Sequence, residues 1–209
     1  MKRWITLPVL ILCSGMVNGC GAARPSKFYQ LTVPSEKTAG ADPARYPVTL
    51  LLGSITTSHL YRDDHIVYTS DGEAMGTYEY QRWAEPPSEM IQDMLLRTLQ
   101  LSGRYQHIYS MRSDVRGDYV LRGHLFDFRE ISGNGLAARV AFDFELRDAK
   151  TGASVWSLSY SHDEPVDRKD ISAVVAALDR NVQSGLNGVL RGLDQYFSAH
   201  EALAPTAVR

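Results

Sequence analysis

The stretch Leu136-Ala137-Ala138-Arg139-Val140-Ala141-Phe142-Asp143-Phe144-Glu145-Leu146-Arg147-Asp148 decides how this chain folds. Ala138, Val140, Phe142, Phe144 and Leu146 alternate with Arg139, Ala141, Asp143, Glu145 and Arg147. A period of two sends the first set to one face of a strand and the second to the other, so one face is buried and one is wet. The flanking stretches Asp118–Ile131 and Ala153–Ser161 also read as strands. Ser132-Gly133-Asn134-Gly135 and Ala149-Lys150-Thr151-Gly152 supply the hairpin turns between them. The result is an antiparallel meander. In its third strand Trp156, Leu158 and Tyr160 share a side. In its first, the apolar phase moves from Leu121 and Leu125 to Phe126 and Phe128, the mark of a bulge.

Downstream, Ile171, Val174, Val175, Leu178, Val182, Leu186, Val189, Leu193 and Phe197 recur at steps of three and four, which predicts one long amphipathic helix over Asp170–Phe197. Upstream, Pro86-Pro87 opens a helix that runs to Ser102, with Glu89 in its first turn and Gly103 past its end. Ile91, Met94, Leu95, Thr98 and Leu99 form its expected buried face. The nearly unbroken apolar run Val48–Ile55 reads as a central strand covered on both faces. Shorter strands are expected at Ile66–Thr69 and Thr77–Arg82, parted by Ser70-Asp71-Gly72, and a first strand within Lys27–Val33 suits a sheet edge. Strands mixed with two helices predict an α+β fold: a mixed β-sheet with a C-terminal antiparallel meander, packed on one face by two helices.

Met1–Gly19 follows the secretory plan: Lys2 and Arg3 precede an apolar run, Trp4–Cys13, that is too short to span a bilayer. The run ends in Val17-Asn18-Gly19-Cys20, which resembles the lipobox of bacterial lipoproteins, with Asn18 the less usual residue. Cys20 is therefore expected to carry diacylglycerol, the alternative being an ordinary cysteine after an ordinary cleavage site. Each buried CH₂ contributes about 0.8 kcal/mol, so two or three acyl chains hold a protein firmly where one does not. Gly21, not Asp, follows the cysteine, and by resemblance to the sorting rule of Gram-negative lipoproteins this implies the outer membrane. The domain plan is a signal at 1–19, a lipidated N-terminus with first strand and connector at 20–46, the α+β domain at 47–198 and a flexible tail at 199–209.

The 209 residues are 44% hydrophobic and 22% charged, a globular balance, with a net charge of -2 that becomes more acidic once Lys2 and Arg3 leave with the signal. Acidic and basic residues are mixed along nearly every segment, against the one-sided basic face of a nucleic-acid binder. The two cysteines, Cys13 and Cys20, both lie within the first twenty residues, so no disulfide framework is available to the domain.

Arg82-Trp83-Ala84-Glu85-Pro86-Pro87, leading into a helix with Leu95 and Leu99, resembles the auxiliary lipoproteins of ABC-type transport systems, the PqiC-like family. Lys27-Phe28-Tyr29-Gln30-Leu31, then His59-Leu60-Tyr61 and Ile66-Val67-Tyr68, match the same family in order and spacing. The resemblance implies a periplasm-facing accessory of MCE-type machines that move lipids or other hydrophobic molecules, partnered with an MCE-domain protein and its ABC permease complex. It carries no catalytic residue, cofactor or metal across. The ATPase and permease of such systems are separate proteins, in keeping with a sequence that has no Gly-x-x-x-x-Gly-Lys-Ser/Thr loop.

Four sets of residues admit a sharper reading beside a plainer one. Arg82 and Trp83 are candidates for partner contact, against Trp83 packing the strand-to-helix corner. Ser161-His162-Asp163 has the residue types of a hydrolase triad, but neighbours on an extended chain face opposite ways. Asp63-Asp64-His65 reads as a turn before a ligand set. Gly185, Gly188 and Gly192 could let a second helix approach closely, against the plainer account of close packing of the last helix on its own sheet or simply a weak helix. The rival function from another class is a lipoprotein regulator of a periplasmic cell-wall enzyme, which would need a longer tether than this chain offers.

Overall fold

The computed structural model describes residues 24–33, 45–70, 74–111, 114–133 and 135–201. Among them the chain forms β1 (Lys27–Tyr29), β2 (Tyr46–Thr57), β3 (His65–Ser70), β4 (Met75–Trp83), α1 (Pro87–Ser102), β5 (Tyr105–Ser110), β6 (Tyr119–Ser132), β7 (Leu136–Asp148), β8 (Ser154–Pro165) and α2 (Ile171–Glu201). A single 3₁₀ turn, His59–Tyr61, links β2 to β3.

The meander forms as the sequence predicts. β6 pairs antiparallel with β7 from Tyr119–Asp148 to Ser132–Leu136, and β7 with β8 from Ala137–Pro165 to Arg147–Ser154. Ala138, Val140, Phe142, Phe144 and Leu146 are each at most 1% exposed. The opposite face of β7 is half-exposed except at Ala141, which is buried. The Asp148 carboxylate fixes the β7–β8 turn by accepting from the Lys150 and Thr151 amides, and Gly152 follows at φ +72°, a conformation that favours glycine.

The bulge lies at Phe126, where the β6–β7 register shifts between Leu125 and Asp127. Before it the inward residues of β6 are Leu121 and Leu125; after it they are Phe128 and Glu130. Phe126 itself is turned out to solvent, at 50% exposure. The other edge of β6 is shared. Its first half pairs parallel with β2, from Leu50–Tyr119 to Thr57–Leu125, and its second half pairs parallel with β3, from Val67–Arg129 to Ser70–Ser132. The sheet therefore forks: β5 extends one branch beyond β2, and β4 then β1 extend the other beyond β3. β2 is interior, as expected, and β1 is an edge strand shorter than the Lys27–Val33 stretch suggested.

α1 begins at Pro87, where the missing N–H costs nothing, and ends at Gly103 in the left-handed conformation, φ 63°. It lies on β2 and β5 and buries Met90, Ile91, Met94, Leu95 and Leu99, whereas Thr98 is only half-buried and turns its hydroxyl back to the Met94 carbonyl. α2 lies on β7 and β8 and continues through Glu201, past the expected end of the domain. Its stripe of Val174, Leu178, Val182, Leu186, Val189, Leu193 and Phe197 joins one core with both α1 and the sheet. Each such side chain contributes about 1.5–3 kcal/mol by leaving water. A Cβ at Gly185 would lie 2.5 Å from Phe142, and one at Gly192 2.5 Å from Trp156, so these two glycines let the helix sit down on the meander. A Cβ at Gly188 would meet only the Arg191 guanidinium, at 4.0 Å, so Gly188 has no such role.

Near its C-terminal end α2 is tied down twice. Phe197 packs against Tyr46, Tyr105 and Tyr119 at ring separations of 5.2–5.6 Å. Asp194 receives Arg104 at 2.9 Å, Arg45 at 3.8 Å and the Tyr46 hydroxyl. At mid-helix the fully buried Asn181 donates to the carbonyls of Ala138 and His162 and accepts from the Tyr160 hydroxyl.

Candidate functional site

Arg82 and Trp83 end β4 at the corner where the chain turns into α1. Trp83 is 1% exposed, its ring centroid is 5.2 Å from that of Phe128, and its amide donates to the Asp64 carbonyl at 2.6 Å. The structure thus gives Trp83 the packing role at this corner and leaves it no surface for a partner. Arg82 is partly exposed and pinned, its Nη1 2.6 Å from Asp64 Oδ1. The aromatic that this corner does present is Phe28, 63% exposed on β1 opposite Arg82. Short strands at an edge leave outward side chains uncovered, and the sequence reading did not single this one out.

Asp63-Asp64-His65 forms the bend that enters β3. The three side chains gather within 4.8 Å, with His65 Nδ1 3.1 Å from Asp63 and 3.7 Å from Asp64. Hydrogen bonding to Asp64, with His65 adding to it, holds the Asp63 carboxyl below the usual carboxylate range. Because Asp64 already carries the Arg82 guanidinium, the cluster is a turn closed by its own ion pairs.

Ser161, His162 and Asp163 all lie on β8, which runs four residues beyond its expected end. Asp163 binds Arg139 through both oxygens, at 2.6 Å each, and this pairing draws its carboxyl below the ordinary range. His162 points to the other side, 3.5 Å from Glu164. The alternation that the sequence implied keeps the three apart.

A cavity of about 710 Å³ opens where α2 begins, lined by Tyr78, Glu130, Ser132, Leu136, Lys169, Ile171 and Val174, among others. Its volume is in the range of small-molecule sites. Glu130 is 7% exposed, and its Oε2 accepts from the Tyr78 hydroxyl at 2.9 Å. Burial, then the hydrogen bond to Glu130, raises the Tyr78 phenol well above its ordinary range, so it stays a donor. Among the described residues no cation forms an ion pair with Glu130. Sequence reasoning missed this carboxylate, although the bulge gave the signal: past Phe126, the register that turns Phe128 inward turns Glu130 inward too.

Cys20 and Gly21 lie outside the described residues. Among those described, no helix is long and apolar enough to cross a membrane.

Comparison with known proteins agrees with this architecture. The crystal structure of protein XCC0632 from Xanthomonas campestris superposes with a TM-score of 0.72 at 18% identity, covering 85% of this chain and 100% of that one. A second solved structure, of an uncharacterized protein, gives 0.64 at 13% identity over 81% and 99%. At these identities the likeness is one of fold. No curated protein matches the chain. The family model for the ABC-type transport auxiliary lipoprotein component matches residues 29–187, from the end of β1 into the second half of α2, and the chain belongs to that family.

Proposed function

We propose that this protein is an outer-membrane lipoprotein, anchored through lipid on Cys20 and facing the periplasm, that docks an MCE-type ABC transport system for lipids or other hydrophobic molecules. It acts by holding partners in place and not by catalysis. The observation that carries the reading is the family match across the folded domain. The lipobox ending at Cys20 supports the anchor, and Gly21 after it supports sorting to the outer membrane. Only six residues separate Cys20 from Lys27, a reach of at most about 24 Å, so a domain tethered there works close to the bilayer.

The test is affinity purification of the intact lipoprotein from membranes beside Cys20→Ala, with mass spectrometry of what co-purifies. Recovery of an MCE-domain protein, reduced for Cys20→Ala, is the expected result. Recovery of a cell-wall synthase without any MCE protein would overturn the reading in favour of a regulator.

A further inference from the structure

The cavity at the start of α2 holds a feature that the docking role does not use. Glu130 lines it: the residue is 7% exposed, its carboxylate accepts a hydrogen bond from Tyr78, and no cation pairs with it among the described residues. An ionised carboxylate taken out of water is costly unless it is paired, so a carboxylate in a cavity wall favours a cationic ligand. Lys169, exposed just before α2, also lines the cavity, and Leu136 and Ile171, with the buried Val174 behind them, give it an apolar side. An acceptor for an ammonium, a donor for an anion and apolar surface thus line one cavity of about 710 Å³.

Its position points to a source. The cavity opens at the end of the sheet where β3 turns into β4, β6 into β7 and β8 into α2. β1 runs parallel to β4, with Lys27 opposite Gln81, so the chain read backwards from Lys27 heads toward the Met75 end of β4, this same end. Only six residues lie between Cys20 and Lys27 in the sequence, so the tether is short. With the anchor proposed above, on which this step rests, the cavity is held near the bilayer surface.

We infer that this cavity binds a primary-amine phosphodiester, the headgroup chemistry of phosphatidylethanolamine. The ammonium sits on Glu130, the phosphodiester lies toward Lys169, and the glycerol and first acyl carbons cover Leu136, Ile171 and Val174.

The test titrates the full-length lipoprotein in detergent with glycerophosphoethanolamine and with glycerophosphoglycerol, which has the same phosphodiester but no amine. The first binds saturably and the second does not. Glu130→Gln, which keeps shape and can still accept from Tyr78, weakens binding about tenfold or more, the equivalent of losing one charge-assisted contact. Ile171→Trp, which fills the cavity with Glu130 intact, removes binding as well. Equal binding of the two compounds, no binding of either, or binding indifferent to Glu130→Gln overturns the site. Hydrogen exchange on the protein in phosphatidylcholine vesicles then identifies the source. Added protection at residues 135–136 and 169–174 only when phosphatidylethanolamine is included supports a membrane lipid, and binding of the free headgroup without that protection overturns it. Affinity purification reports separately on docking, so a lost MCE partner with an intact titration leaves the site standing, and the reverse leaves the docking.

Discussion

Near its C-terminal end α2 is held by Phe197 among three tyrosine rings and by Asp194 between two arginines, whereas where it begins it faces a cavity and a buried carboxylate with a single hydrogen bond. The same helix is thus over-determined at one end and under-satisfied at the other. Packed, fully paired regions set the stability of a fold, and sites that await a ligand are drawn from its less satisfied parts. The difference separates what holds this domain together from what it has to offer.

Phe197→Ala should break the closed end at the largest cost, about 3–5 kcal/mol in chemical denaturation, because three ring contacts go and a cavity remains. At mid-helix, Asn181→Leu should cost about 1–3 kcal/mol by orphaning the Ala138 and His162 carbonyls and the Tyr160 hydroxyl. At the open end, Tyr78→Phe strips Glu130 of its hydrogen bond and should cost about 1 kcal/mol. Glu130→Gln in the same background, by removing the buried charge, should recover that loss; a further drop in melting temperature would show the open end to be as tightly designed as the closed one.

The smallest effect lies on the surface. The Asp163 carboxyl is held low by Arg139, so its folded pKa lies below its unfolded value. Its contribution is therefore present above the unfolded carboxylate pKa of about 4 and is lost as pH falls through the lower folded value. Both side chains are partly exposed, 35% and 44%, so solvent screening limits the pair to under about 1 kcal/mol. Melting curves of wild type and Asp163→Asn should converge at low pH and differ slightly at neutral pH.

The closed end and the meander were legible from sequence because their signals are local. The period of two in β7, the stripe of α2 and the Pro-to-Gly bounds of α1 each follow from neighbours along the chain. β5 was not read: Tyr105-Gln106-His107-Ile108-Tyr109-Ser110 is half polar and gains its place only by pairing parallel with β2, almost sixty residues away. Asn181 sits among apolar positions on the α2 stripe but looks like a surface residue until its three partners, on two other strands, are in place. Glu130 and the cavity were hidden for the same reason, since the lining is brought together from β4, β6, β7 and the start of α2. Trp83 shows the converse: a tryptophan beside an arginine invites a contact role, and only its burial against Phe128 assigns it to the core.

The fork at β6 bears on how the protein is made. β2 pairs with β5 and β6 and β3 pairs with β4 and β6, so neither can complete its hydrogen bonding until a strand some fifty or more residues later has been delivered. A chain emerging N-terminus first therefore spends that interval with Val48–Ile55, its most apolar strand, unpaired and prone to aggregate. The two branches of the sheet cannot be joined until β6 has been made through residue 132, and the segment that most needs shielding until then is β2.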